Sequence, residues 1–324
     1  MSRYGLRRNL LTVMGNGLDY VDGAVELLLD HPSLRVFPLG ALLASIAVGV
    51  GFFLSYRAIA RPIWFWLVTH GVGPFAARVP TAYALVFLFF AAETAVLSFA
   101  NAGLVHCTYQ VIEGESPSVR AGLAAAIGVL PQVLTYAVVT GAAGVVVAWL
   151  ERRTDFADGL VATVLGLSYG MFTFFVMPAA VLDGASPLSM FSKSGRTVRA
   201  HLGGLATVYL GVTLLVVSVF MIPLFLAIVV VTVDGVLGVV DYAALVAWLA
   251  GVLDVSTHRS LAIWTTLVYA AVVLPAWVGF VLGSSLSSMA TTSLYVAIHE
   301  DTDAMPLFDI DRDEALVVPD HGHS

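Results

Sequence analysis

Apolar residues along this chain come in long runs rather than in strict alternation. Runs almost free of charge cover Val36–Tyr56, Thr81–Val105, Gly122–Trp149, Gly159–Leu182, Gly203–Val233 and Leu261–Ile298. A bilayer core of about 30 Å takes about 20 apolar helical residues, so each run predicts one membrane span. The last run is too long for a simple crossing and is expected to extend beyond the bilayer or to break near Gly283, Ser284 and Ser285. A seventh stretch, Val236–Val252, is short and contains Asp241. It is expected to lie at the interface, with Tyr242 and Trp248 at headgroup depth.

The flanks read differently. Leu18, Val21, Val25, Leu28 and Leu29 fall at helical spacing opposite Asp19, Asp22, Glu26 and Asp30. That pattern predicts an amphipathic helix covering the end of the bundle or lying on the membrane. Beyond Ile298 the chain is acidic, interrupted by Pro306 and Pro319, and almost without periodicity. Such a stretch is expected to be disordered. The fold class expected is therefore all-α: a polytopic membrane helix bundle of about six transmembrane helices over residues 36–298. An interfacial segment over 1–35 precedes it, and an acidic tail over 299–324 follows.

Composition agrees. The 324 residues are 59% apolar and only 11% charged, and mean hydropathy is +0.92. Soluble domains carry about 25% charged residues, so too few polar side chains are present to coat a water-soluble globule. Soluble enzymes, nucleic-acid binders and disordered chains are excluded together. The formal charge of −7 is uneven, with eight acids between Glu300 and Asp320. Lys193 is the one lysine, beside fourteen arginines. A salt-rich cytoplasm would suit that balance, and a GC-rich genome gives the same arginine bias. One cysteine, Cys107, excludes an internal disulfide and a cysteine-cluster metal site. Six spans put both termini on one side. That side holds nine cations against six opposite, so the positive-inside rule places the termini in the cytoplasm of a multi-pass cell-membrane protein. Arg57, Arg61 and Arg78, with Trp64, Phe65 and Trp66 in the first loop, pull the other way.

Two loops read almost alike. Val111-Ile112-Glu113-Gly114-Glu115-Ser116-Pro117 follows the second span, and Val181-Leu182-Asp183-Gly184-Ala185-Ser186-Pro187 follows the fourth. The glycine can take the left-handed conformation that ends a helix. The serine can cap the next helix, and proline fits its first turn. The expected unit is a repeated helix pair with parallel copies, and a degenerate third copy is expected from Ile298 to Pro306.

Few residues carry chemistry. No phosphate-binding loop, zinc-protease motif, serine-hydrolase elbow or dinucleotide fingerprint occurs, and no enzyme activity, cofactor or metal is expected. Gly141, Gly144, Gly279 and Gly283 sit inside spans, where small residues let helices approach. Glu93 lies in the middle of the second span with no cation in any span to pair with, so it is expected to carry its proton and to need a hydrogen-bonding partner. In the antiparallel third span Gln132, Thr135 and Tyr136 fall at that depth. With Asn101 they form the candidate intramembrane polar site. Lys193, Arg196 and Arg199 are the candidate contacts for anionic headgroups, though ordinary positive-inside anchoring is the favoured account of them.

Several motifs resemble one family. The run His31-Pro32-Ser33-Leu34-Arg35-Val36-Phe37-Pro38-Leu39, then Phe99-Ala100-Asn101-Ala102-Gly103-Leu104 and Gly114-Glu115-Ser116-Pro117-Ser118-Val119-Arg120-Ala121-Gly122-Leu123, are similar to an uncharacterised family of bacterial and archaeal integral membrane proteins. Thr173-Phe174-Phe175-Val176-Met177-Pro178, Ser186-Pro187 and Ser192-Lys193-Ser194 add to the likeness. The layout more distantly resembles the membrane domain found beside glycerophosphodiester phosphodiesterases, whose catalytic domain has no counterpart in these residues. The resemblance implies a fold and no activity. The function expected is binding, as a scaffold, accessory subunit or lipid-interacting module, with membrane lipids and another membrane protein or a second copy as partners. A small-solute or lipid permease is the alternative.

Overall fold

The structure, a computed structural model, describes residues 23–151, 165–201, 209, 213 and 257–299. Residues 1–22, nearly all of the fifth predicted span, the short stretch Val236–Val252 and residues 300–324 of the acidic tail lie outside the described residues. The described residues are helical and contain no strand. They form α1 (residues 23–30), α2 (Val36–Thr69), α3 (Pro74–Ile112), α4 (Val119–Gly128) and α5 (Leu130–Glu151). After these come α6 (residues 165–172), α7 (Val176–Val181), α8 (Ser189–Ala200) and α9 (Thr257–His299). Among the described residues, three helices are long and apolar enough to cross a membrane: Arg78–Ile112, Leu130–Val147 and Trp277–His299. The chain divides into two compact units, Met1–Val212 with Ser284–Ser324, and Thr213–Gly283. The described part of the second unit is essentially the first portion of α9.

The predicted boundaries need three corrections. The first loop is helical, because α2 continues past Arg57 and Arg61 to Thr69 and α3 starts at Pro74. The turn is confined to the residues between them. Gly71 adopts φ 85°, and the amides of Gly71 and Val72 return to Val68 and Leu67 at 3.2 and 3.0 Å. This is the left-handed helix stop that glycine permits. At 34 and 39 residues, the two helices are about 51 and 58 Å long at 1.5 Å per residue, well beyond a bilayer core.

The third run is split between α4 and α5 at Val129. Pro131 has no N–H to donate to the Ile127 carbonyl, and its ring crowds that turn. The fourth run breaks at residues 173–175. There Pro178 cannot serve the Phe174 carbonyl, and Thr173 Oγ1 bonds back to the carbonyls of Tyr169 and Gly170 at 2.9 and 3.2 Å. The last run does not break, since α9 continues through Gly283, Ser284 and Ser285.

The two similar loops share their glycine geometry, with φ 77° at Gly114 and 59° at Gly184. Their serines depart from the expected capping. Gln110 Oε1 accepts the Ser118 amide at 3.2 Å, which is the amide a Ser116 cap would serve, and α4 therefore starts later, at Val119. In the Gly184 loop the Ser186 carbonyl accepts the Met190 amide at 3.1 Å, while its hydroxyl turns to Ser189 Oγ at 2.9 Å.

Within the first unit α3 is the axis, packed against α2, α4, α5 and α7. One core cluster joins Ala24 and Leu27 of α1 to Leu34, Phe37, Leu104, Cys107 and Met289. So α1 covers the bundle end, through Ala24 and Leu27 with the expected Leu28 packed beside them, while Leu29 is 62% exposed. Arg35 holds α1 in place by donating to the Leu28 carbonyl at 2.9 Å and to the Leu29 carbonyl. Phe37 lies in a notch without side chains: a Cβ at Gly103 would collide with its ring, and one at Gly122 would come within 2.7 Å of Cys107 Sγ and 2.8 Å of the Gly103 carbonyl oxygen. Cys107 is buried there, its Sγ 3.4 Å from the Ser118 carbonyl oxygen. Farther along, Gly141 of α5 would place a Cβ 3.1 Å from that of Ala91.

Because the Gly122 neighbour is backbone, Gly122→Ala is expected to cost about 1–3 kcal/mol through overpacking. Gly128→Ala, where a Cβ meets nothing within 4 Å, is expected to be neutral or slightly stabilising. Thermal unfolding of both variants in the same detergent checks the contrast.

Candidate functional site

Glu93 sits on α3 and is 8% exposed. Its Oε2 accepts a hydrogen bond from Ser45 Oγ of α2, itself fully buried. Its Oε1 is buried and has no hydrogen-bond partner among the described residues. The expected partners on α5 are therefore replaced by a serine on α2. The depth argument explains why. Ser45 lies at the middle of Val36–Tyr56 just as Glu93 lies at the middle of Thr81–Val105, and α2 and α3 are joined by the short turn at Gly71. A tight hairpin aligns equal depths on adjacent helices, and nearer the turn the Phe52 and Phe89 rings pack with centroids 5.3 Å apart.

The five candidate polar residues are not gathered into one site. Asn101 Nδ2 donates to Ser284 Oγ at 3.0 Å. Gln132 Nε2 donates to the Ala185 carbonyl at 3.0 Å, tying α5 to the Gly184 loop, while its Oε1 is buried without a partner among the described residues. Thr135 Oγ1 bonds within its own helix, to the Pro131 carbonyl at 2.8 Å. Tyr136 joins a cluster of hydroxyls with Thr140 and Thr173, in which Thr140 Oγ1 and Tyr169 OH are 2.8 Å apart. Apart from Thr135, each residue fastens a different pair of segments.

The helix break between α6 and α7 has its own polar plug, which the sequence does not announce. Ser194 of α8 is fully buried. Its hydroxyl donates to the Phe172 carbonyl at 2.7 Å and accepts the Phe175 amide at 3.2 Å. A signal is present in the spacing: Met190, Ser194 and Val198 form the buried stripe of α8, and a serine inside an apolar stripe needs a reason to be there. Gly195 beside it leaves room for the Phe172 ring, which a Cβ would strike.

Lys193, Arg196 and Arg199 occupy the rest of α8. Lys193 Nζ lies 3.1 Å from Asp183 Oδ2, half-exposed. Tyr295 OH of α9 donates to the same carboxylate oxygen at 2.7 Å. Sequence reasoning misses Asp183 and Tyr295 as partners, since nothing in local spacing brings residues 112 apart together. Arg196 and Arg199 are exposed, and Arg196 Nε donates to the Ser192 carbonyl of its own helix at 3.3 Å. The helix thus turns one cation into an ion pair and leaves two facing outward.

Ser194→Ala is expected to lower stability by about 1–3 kcal/mol, since it leaves buried backbone groups unpaired. Breaking the half-exposed Lys193–Asp183 pair by Lys193→Met is expected to cost at most about 1 kcal/mol. Thermal unfolding combined with limited proteolysis between α7 and α8 ranks the two.

Comparison with known proteins places the chain without assigning it a role. No curated protein and no solved structure matches it. The model of a family of unknown function (DUF6159) matches residues 80–297. That stretch is about two thirds of the chain and contains Glu93, Gln132, Ser194 and Tyr295. The chain belongs to that family of unknown function.

Proposed function

We propose that the protein works by binding within a membrane, as a lipid-interacting module, and does no catalysis. The observation that carries this reading is an almost wholly apolar groove of about 430 Å³ over α2, α3, α4 and α5. Gly40, Ala41, Ala44, Ala95 and Ala100 line it with small side chains, and Leu123, Val133 and Leu134 with larger ones. The volume lies within the 300–1,000 Å³ of ordinary ligand clefts. Its lining offers an occupant apolar contact and hardly any hydrogen bonding, which suits an acyl chain. The dispersed polar residues also support binding over chemistry, because Glu93 meets a serine hydroxyl, Asn101 a serine hydroxyl and Gln132 a backbone carbonyl. The likeness to the membrane domain beside glycerophosphodiester phosphodiesterases accords with a non-catalytic module. Six spans made of parallel helix pairs in the cell membrane, with cytoplasmic termini, are the topology that goes with this reading. The matching left-handed glycines at 114 and 184 support it.

Filling the groove is the test. A Cβ at Gly40 meets nothing within 4 Å, so Gly40→Leu is expected to preserve helicity and to reduce lipid retained through detergent purification several-fold. Unchanged lipid, measured by mass spectrometry of the extract, rejects the groove as the binding surface. A stoichiometric protein lost together with the groove would identify a scaffold instead.

The permease reading rests on one observation, the buried and unpartnered Glu93 Oε1. Glu93→Gln keeps a hydrogen-bonding side chain and removes the ability to ionise. Full stability with no change in proteoliposome solute uptake is the outcome expected of an interhelical fastener. Lost uptake in a folded variant would favour the permease.

A further inference from the structure

The apolar groove over α2 to α5 has a direction. Its lining runs from Val36 to Ala44 on α2 and from Leu123 to Leu134 on α4 and α5, about 12 and about 16 Å at about 1.5 Å per residue. Half of a bilayer core is about 15 Å, so the groove is one leaflet deep. Its inner end stops beside Ser45 and Glu93 in the chain, at mid-span. Its outer end lies where α2 and α4 begin. Val36 is 48% exposed and Leu134 50%. The groove is therefore open sideways, as entry of a chain from the surrounding lipid requires.

The outer end carries positive charge. Arg120, in the first turn of α4 and three residues before Leu123, shares that residue's flank of the helix and is exposed. Among the described residues it has no hydrogen bond and no ion pair. Ser118 does not cap α4 with its side chain, so the first amides of that helix point toward the same end with the positive pole of its dipole. Arg35, beside Val36, is committed elsewhere, to the Leu28 and Leu29 carbonyls of α1. Glu113 and Glu115 are exposed in the loop before α4, and among the described residues neither pairs with Arg120. A neutral acyl chain would fill the groove and leave Arg120 without a role. A soluble anion would use Arg120 and leave the groove without one. A phospholipid of net negative charge uses both.

We propose that this groove takes an anionic phospholipid, one acyl chain lying along Gly40, Ala44 and Leu134 and the phosphate held by Arg120 at the start of α4. The inference rests on reading the groove as a lipid seat and adds to it the class of headgroup. Arginine presents paired donors that match phosphate oxygens, and one arginine near anionic lipid contributes about a factor of five in affinity. Repulsion from Glu113 and Glu115 offsets what the helix amides add, so about fivefold is the whole preference expected.

The test uses the full chain in a mild nonionic detergent, titrated with phosphatidylglycerol or phosphatidylcholine of identical chains. Bound lipid is counted by native mass spectrometry. Phosphatidylglycerol is expected to bind about fivefold more tightly. Arg120→Gln is expected to abolish that preference while leaving phosphatidylcholine affinity unchanged, and Arg120→Lys to keep most of it. Arg61→Gln, about 37 Å from Val36 along α2, is expected to leave the preference as it is. Equal affinity for the two lipids in the wild type overturns the headgroup assignment and leaves the groove reading standing, whereas binding of neither lipid overturns both. A preference that survives Arg120→Gln, or that falls as far in Arg61→Gln, also overturns the assignment, since the charge would then act from elsewhere. Should Arg120→Gln fail to fold, the wild-type preference and the Arg61→Gln variant decide.

Discussion

Phe37 can sit where α2, α3 and α4 meet only because Gly103 and Gly122 present no side chain to its ring. Much of the first unit follows from that approach. It brings Leu34, Leu104 and Cys107 into one buried cluster, to which α1 and the last helix contribute Leu27 and Met289. It also sets the spacing between α3 and α4, from which α5 continues after the kink at Val129. In water such a notch would be one hydrophobic contact among many. Between helices as apolar as these, burial alone distinguishes poorly between partners, and close packing of small residues decides which faces meet.

The same shortage of water makes backbone groups the second constraint. Pro131 and Pro178 each remove a donor from a helix, and an orphaned carbonyl in apolar surroundings is costly. The protein answers locally at each break. At α4–α5 the ladder resumes within one residue, with Val129 still bonded to Ala125 and Val133 to Val129. At α6–α7 the gap is wider, and a helix from later in the chain brings Ser194 to serve both sides of it. α8 is therefore positioned by its buried serine, while its arginines face outward.

How much of this is legible in the sequence follows from range. The apolar runs locate the helices, because hydropathy needs only local sequence. Gly114 and Gly184 mark helix ends for the same reason. The runs cannot show that α2 continues past Arg57, since charge ends an apolar run without ending a helix. Pro131 and Pro178 are visible as kinks, but only the structure shows them to be breaks. Glu93 is legible as a buried acid, yet depth alone points to α5 and α2 equally, and it is Ser45 that meets it. Asp183 with Tyr295, and Gln132 with Ala185, join residues distant in sequence, and no periodicity encodes such pairs. The motifs His31–Leu39 and Gly114–Leu123, which carry the family resemblance, prove to be packing devices: Leu34, Arg35 and Phe37 on one side, Gln110's contact with Ser118 and the bare Gly122 on the other.

Cys107 gives this bundle a built-in gauge. It is the chain's single thiol, sealed between α3 and the start of α4 with no exposed surface. A thiol-reactive dye can reach it only when α4 lifts away from α3, so its labelling rate measures how often that seam opens in detergent, nanodisc or native membrane. Cysteines introduced elsewhere can then be labelled against a silent background while the seam holds. The notch that orders the fold thereby also makes its breathing observable without altering a residue.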